Sequence, residues 1–170
     1  KSDQPVDNVP SSWKECNPEN AAGFSAVAYY FARDLQAALR VPVGVIHTSW
    51  GGSPCEVWIR EGVLADDKEY NRDILGNYQA ARQKVQPAFE AYEKAKAEAA
   101  RAGTRLTQRD PRPWKPSELY NGMIAPLIPF AIQGAIWYQG ESNAGRAHQY
   151  RRLFTTMVEN WRQDWDRGDF

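Results

Sequence analysis

Residues 132–143 constrain the fold of this chain most. The apolar run Ile132-Gln133-Gly134-Ala135-Ile136 leads directly into Trp137-Tyr138-Gln139-Gly140-Glu141-Ser142-Asn143, and a strongly amphipathic stretch follows. A short apolar run bounded by turn residues reads as a strand buried on both faces. Polar groups then crowd the point where that strand ends and a helix begins, which in open α/β sheets is where ligands bind. A second such arrangement lies upstream. Val41-Pro42-Val43-Gly44-Val45-Ile46 is almost wholly apolar and rich in β-branched residues. Pro42 falls near its start, where a missing donor does least harm. His47-Thr48-Ser49-Trp50-Gly51-Gly52-Ser53-Pro54 follows as a tight loop, with two glycines that permit positive φ and close backbone approach.

Helical spacing frames these runs. Phe24, Val27, Ala28, Phe31, Leu35 and Ala38 make one apolar stripe, and Tyr150, Leu153, Phe154, Met157, Val158, Trp161 and Trp165 make another. Residues 1–22, with three prolines, show no sustained period. From about Tyr70 to Ala102 the chain is rich in Ala, Lys, Glu and Arg, with Glu90 four residues before Lys94. This predicts a solvated, charged helical insertion over about 68–103, stopped at Gly103. The prolines of 110–116 return the chain to the main body, and Pro126 and Pro129 break a short apolar element that ends near Phe130. The alternation of helix, strand and loop predicts an α/β fold with a parallel sheet. Two strands are too few for a complete doubly wound sheet, so residues 1–170 read as the central part of one domain.

Charge excludes some functions. Lys plus Arg and Asp plus Glu number 21 each, so no global field draws the chain to nucleic acid or to an anionic membrane. No apolar run approaches the roughly 18 residues of a membrane span. Lys1-Ser2-Asp3-Gln4-Pro5 has no apolar signal core, so an export signal is expected to be absent or already removed. Cys16 and Cys55 have no metal spacing, and their pairing stays open. His47 and His148 lie far apart, and no phosphate-binding glycine fingerprint occurs. Neither a metal nor a cofactor is expected.

Ester hydrolysis through an acyl-enzyme needs a nucleophile, a base, and donors for the tetrahedral oxyanion. Backbone N–H groups of the Gly51-Gly52 turn and the neutral amide of Gln139 suit the donor role, because they aim dipoles at developing charge without titrating. Three segments then carry a resemblance. Ser49-Trp50-Gly51-Gly52-Ser53-Pro54-Cys55-Glu56-Val57-Trp58, Leu119-Tyr120-Asn121-Gly122-Met123 and Trp137 to Asn143 occur in this order. Together they resemble the sialate O-acetylesterase group of the SGNH hydrolases, a group of carbohydrate esterases.

The resemblance implies a flavodoxin-like three-layer α/β/α fold, incomplete in this chain. It also implies serine-type removal of acetyl esters from sialic acid or related sugars, no cofactor, and a secreted, periplasmic or lysosomal protein. Acetylated sugars of plant polysaccharides are the alternative substrate. A glycine of the 51–52 pair and Gln139 would be oxyanion donors. Trp50, Glu141, Ser142 and Asn143 would order the loop or meet the sugar. Two blocks depart from the pattern. Nothing matches the family's Gly-Gln-Ser-Asn nucleophile segment. Gly44 and Gly145 stand three residues before the histidines, where its Asp-x-x-His segment needs aspartate. Nucleophile and histidine are therefore expected outside this chain, in further sequence or on a separate polypeptide, and the chain alone is expected to be inactive.

Other readings compete. Ser53 or Ser142 with His47 would make an internal triad, but neither serine has a G-x-S-x-G elbow. Glu141 with Glu56 could supply paired carboxylates, although Glu141 reads better as fixing its own loop. Trp161 and Trp165 suit packing, while Trp50 suits packing and a sugar platform equally. The rival from another class is a non-catalytic carbohydrate-binding or scaffold module.

Overall fold

The computed structural model describes all 170 residues. Its helices start and stop where local chemistry dictates. Asn17 caps α1 (Pro18–Ala21), whose first position holds a proline. Ser25 caps α2 (Ala26–Leu39), and Arg40 in the left-handed region ends it. A short α3 (Glu61–Asp66) follows. Asp67 then accepts the N–H groups of Glu69 and Tyr70 and starts α4 (Lys68–Tyr70). A π-type turn, Asn71–Gly76, joins α4 to α5 (Asn77–Arg101) with helical backbone at both junctions. Residues 68–101 thus form one helical run. Gly103 ends it with φ of 66°, and the Thr104 N–H reaches back to the Ala99 carbonyl at 2.9 Å. The last helix is α6 (Ala147–Trp165).

The core sits where α6 meets two irregular segments. Leu153, Met157, Trp161 and Trp165 of α6 pack against the 3-10 turn Cys55–Trp58 and the turn Tyr120–Ile124. An edge-to-face series runs from Trp58 through Trp137, Trp161 and Trp165 to Phe170, with ring centroids 5.9, 5.7, 6.5 and 5.8 Å apart. Each such pair adds about 0.5–1.5 kcal/mol beyond the area it buries. All four indoles also donate a hydrogen bond: Trp161 to the Trp58 carbonyl, Trp165 to the Phe130 carbonyl, Trp58 to the Ser53 hydroxyl and Trp137 to the Tyr150 hydroxyl. Trp161 and Trp165 are packing residues, as their helical spacing predicts.

The expected parallel sheet is not there. The chain is helical and irregular with no β-strand, so the α/β class and the flavodoxin-like three-layer α/β/α arrangement are overturned. The two apolar runs make no backbone–backbone hydrogen bond with each other or with any other segment. Val45 and Ile136 are 40% and 45% exposed. The physical reason is specific. Apolarity and β-branching say what a run would gain from burial, but a strand forms only if a neighbour satisfies its N–H and C=O groups. Neither run finds one within these residues. The stripe on α2 has the same fate: the helix forms, yet Val27, Phe31 and Ala38 of the stripe stay exposed and only Ala28 is buried.

Candidate functional site

The loop 50–56 and the loop 139–146 meet although no sheet brings them together. Asn143 is the hub. It is 1% exposed, and its Oδ1 accepts the Cys55 N–H at 2.8 Å and the Gln139 amide at 2.7 Å. Its Nδ2 donates to Glu56 Oε2 at 3.0 Å. Gln139 Nε2 donates a second time, to the Ser53 carbonyl at 3.0 Å. The Ser142 hydroxyl donates to the Gly52 carbonyl at 2.9 Å. Gln139 is held from behind as well, its carbonyl accepting from the Tyr150 hydroxyl of α6, which in turn accepts from Trp137 Nε1. The 3-10 turn Glu141–Arg146 carries this loop into α6, so the loop is anchored to the core helix.

At the tip, Gly51 and Gly52 are exposed, and neither N–H has a partner in the chain. Gly52 has φ of 74°, a conformation side-chain-bearing residues avoid. Two unpartnered backbone donors thus sit in an exposed turn whose following residues are held by Gln139 and Asn143. The amide of Gln139 stands differently. Both its hydrogens are engaged, and its Oε1 is buried without a partner. Flipping the amide would set Oε1 against the Ser53 and Asn143 oxygens, so the hydrogen bonds fix its orientation. Trp50, beside the turn, is 45% exposed and meets Trp114 edge-to-face at 6.5 Å. Trp137 belongs to the core series instead.

The remaining sequence candidates separate cleanly. Glu141 is exposed and accepts no hydrogen bond from its own loop. Ser53 is buried, its hydroxyl donating to the Trp50 carbonyl and accepting from Trp58. Ser142 is spent on Gly52. His47 is exposed and pairs with neither, but its Nε2 lies 2.6 Å from the Ser49 hydroxyl. No carboxylate orients that imidazole. His148 is exposed on α6. Cys16 and Cys55 are both free, and burial, then the nearby Glu56, pushes the Cys55 thiol well above its usual range. No cluster of three or more His, Cys, Asp or Glu side chains could hold a metal.

The residue that sequence reasoning missed is Arg146. Its Nη2 lies 2.6 Å from Glu56 Oε1, closing an ion pair across the junction. No spacing rule links positions so far apart.

Comparison with known proteins agrees with the motifs. Residues 97–170 match the family model described as carbohydrate esterase, sialic acid-specific acetylesterase. The chain is 31% identical to a sialate O-acetylesterase of Rattus norvegicus, over 96% of its own length. The sialate O-acetylesterases of Mus musculus and Homo sapiens are 32% and 30% identical, over 88% and 94% of it. This chain is similar to the sialate O-acetylesterases. It spans about a third or less of these relatives: 31% of the rat, 27% of the mouse and 26% of the human sialate O-acetylesterase. The match to the acetylesterase model takes in the 139–146 loop and α6, and the likeness to the rat sialate O-acetylesterase extends over nearly the whole chain. No helix is long and apolar enough to cross a membrane.

Proposed function

We propose that these residues form the oxyanion-binding side of a carbohydrate O-acetylesterase that acts on acetyl esters of sialic acid or a related sugar. A serine attacks the acetyl carbonyl while a histidine takes its proton. The tetrahedral intermediate expels the sugar hydroxyl, reprotonated by the same histidine, and water then releases acetate from the acetyl-serine. Serine and histidine come from sequence outside these residues, in further chain or on a separate polypeptide, so this chain by itself is inactive. Gly51 and Gly52 offer their N–H groups to the developing oxyanion. Gln139 stands behind them and becomes a donor by giving up its bond to the Ser53 carbonyl. Trp50 presents an apolar ring face to the sugar, Glu141 its exposed carboxylate, and Ser142 and Asn143 keep the loop in register.

The observation that carries this reading is the pair of unpartnered glycine N–H groups in a turn fixed by Asn143 and Gln139. Such donors act because they are already aligned when charge appears. The test is to label the complete protein with a serine-reactive fluorophosphonate and map the adduct by peptide mass spectrometry. An adduct on a serine outside residues 1–170 is expected. One on Ser49, Ser53 or Ser142 would make this chain an enzyme in its own right. A folded, complete protein with no adduct would support the rival reading, a non-catalytic carbohydrate-binding module.

A further inference from the structure

Glu56 is the only carboxylate among the buried residues. Removing a carboxylate from water is strongly unfavourable unless it is paired and hydrogen-bonded. Both its oxygens are taken: Oε1 by Arg146 at 2.6 Å and Oε2 by the Asn143 amide at 3.0 Å. Its backbone carbonyl accepts the Ser117 N–H at 3.1 Å, which ties in a third segment. Arg146 in turn donates from Nη1 to Gln149 of α6 at 2.7 Å. Residue 56 is therefore the point where the glycine loop, the 139–146 loop, the 117 region and α6 are fastened together.

We infer that Glu56 and Arg146 form a charge clamp that positions the Gly51-Gly52 turn, acting through Asn143. This inference rests on the oxyanion reading above for its functional consequence. Glu56 orients the Asn143 amide by accepting from Nδ2. That orientation turns Asn143 Oδ1 toward the Cys55 N–H and the Gln139 amide, and Gln139 then holds the Ser53 carbonyl next to Gly52. Arg146 holds Glu56 in place by supplying the opposite charge from the start of the core helix. Glu56 is a positioning residue and not a general base, because its two oxygens are already occupied and its side chain is only 10% exposed.

The test is a short variant series in the complete protein with two readouts. The first is the backbone amide resonances of Gly51 and Gly52. The second is kcat and KM for a small aryl acetate. E56Q keeps an acceptor for Asn143 but sets an amide against the guanidinium, R146A removes the partner charge, and R146K restores it. E56Q and R146A are expected to move both glycine resonances. They should lower kcat by on the order of a hundredfold, with KM changed by no more than about threefold, as small misplacements do. R146K should recover most of the loss. The clamp is overturned if both glycine resonances stay in place in folded E56Q and R146A. It is equally overturned if E56Q abolishes turnover while R146A retains it, the behaviour of a general base. Absence of turnover in the unmodified protein would refute the esterase reading alone, since the resonance shifts still decide the clamp.

Discussion

Asn143 commits three of its amide's hydrogen-bonding positions to neighbours from two places in the sequence, the adjacent pair Cys55 and Glu56, and Gln139 of its own loop. Asn143→Ala would strand the Cys55 N–H, one Gln139 hydrogen and a Glu56 oxygen in a water-poor environment. Each buried group left unsatisfied is unfavourable, and the variant should lose about 2–4 kcal/mol in chemical denaturation. Asn143→Asp keeps the shape but sets a carboxylate against Glu56, so it too should destabilise the protein. A neutral result for both would remove Asn143 from the centre of the network. Gln139→Ala separates the two jobs given to that residue. As an oxyanion donor its loss should lower kcat by about a hundred- to a thousandfold while sugar binding changes little. Unchanged turnover would sink the assignment. The sequence named Gln139 and Asn143 because a polar cluster after an apolar run is conspicuous. It could not show that the Gln139 hydrogens are already engaged, nor that Arg146 reaches Glu56, since both depend on which loops meet.

Among the elements, helices were legible and strands were not. A helix satisfies its own backbone, so the stripes of α2 and α6 and the glycine stop at 103 can be read locally. A strand needs a partner from elsewhere, and the runs at 41–46 and 132–138 carry apolarity without one. The start of α4 gives a titration prediction of its own. The Tyr70 N–H, and then Arg152, hold the Asp67 carboxyl below the usual carboxylate range, against a partial burial that raises it. The folded-state value lies below the unfolded one. The cap is therefore fully present above the unfolded value of about 4 and is lost as pH falls below it. The Glu69 and Tyr70 amide resonances should move with this titration at acid pH, and Asp67→Asn should flatten it. An identical acid profile in the variant would show that another group is responsible.

Stability is distributed unevenly over the whole molecule. The core gathers around α6, whereas α5 contributes no buried residue and Val45 and Ile136 of the apolar runs stay exposed. Leu153→Ala, at a fully buried position, should cost about 3 kcal/mol through lost packing and the cavity left behind. Val45→Lys and Ile136→Lys should each stay within about 0.5 kcal/mol of the parent and lessen self-association, because exposed apolar runs favour contact with other molecules. Thermal and denaturant unfolding of the three variants checks this contrast, and a large loss in either lysine variant would place a run inside the core. The site depends on that uneven arrangement, since a firm α6 holds the 139–146 loop and that loop holds an exposed glycine turn. The most direct measurement is a crystal structure of the complete protein carrying the fluorophosphonate adduct. The account predicts the phosphonyl oxygen at about 2.7–3.1 Å from the N–H of Gly51 or Gly52, the position of the oxyanion. An adduct whose oxygen lies beyond hydrogen-bond reach of both glycines would contradict it.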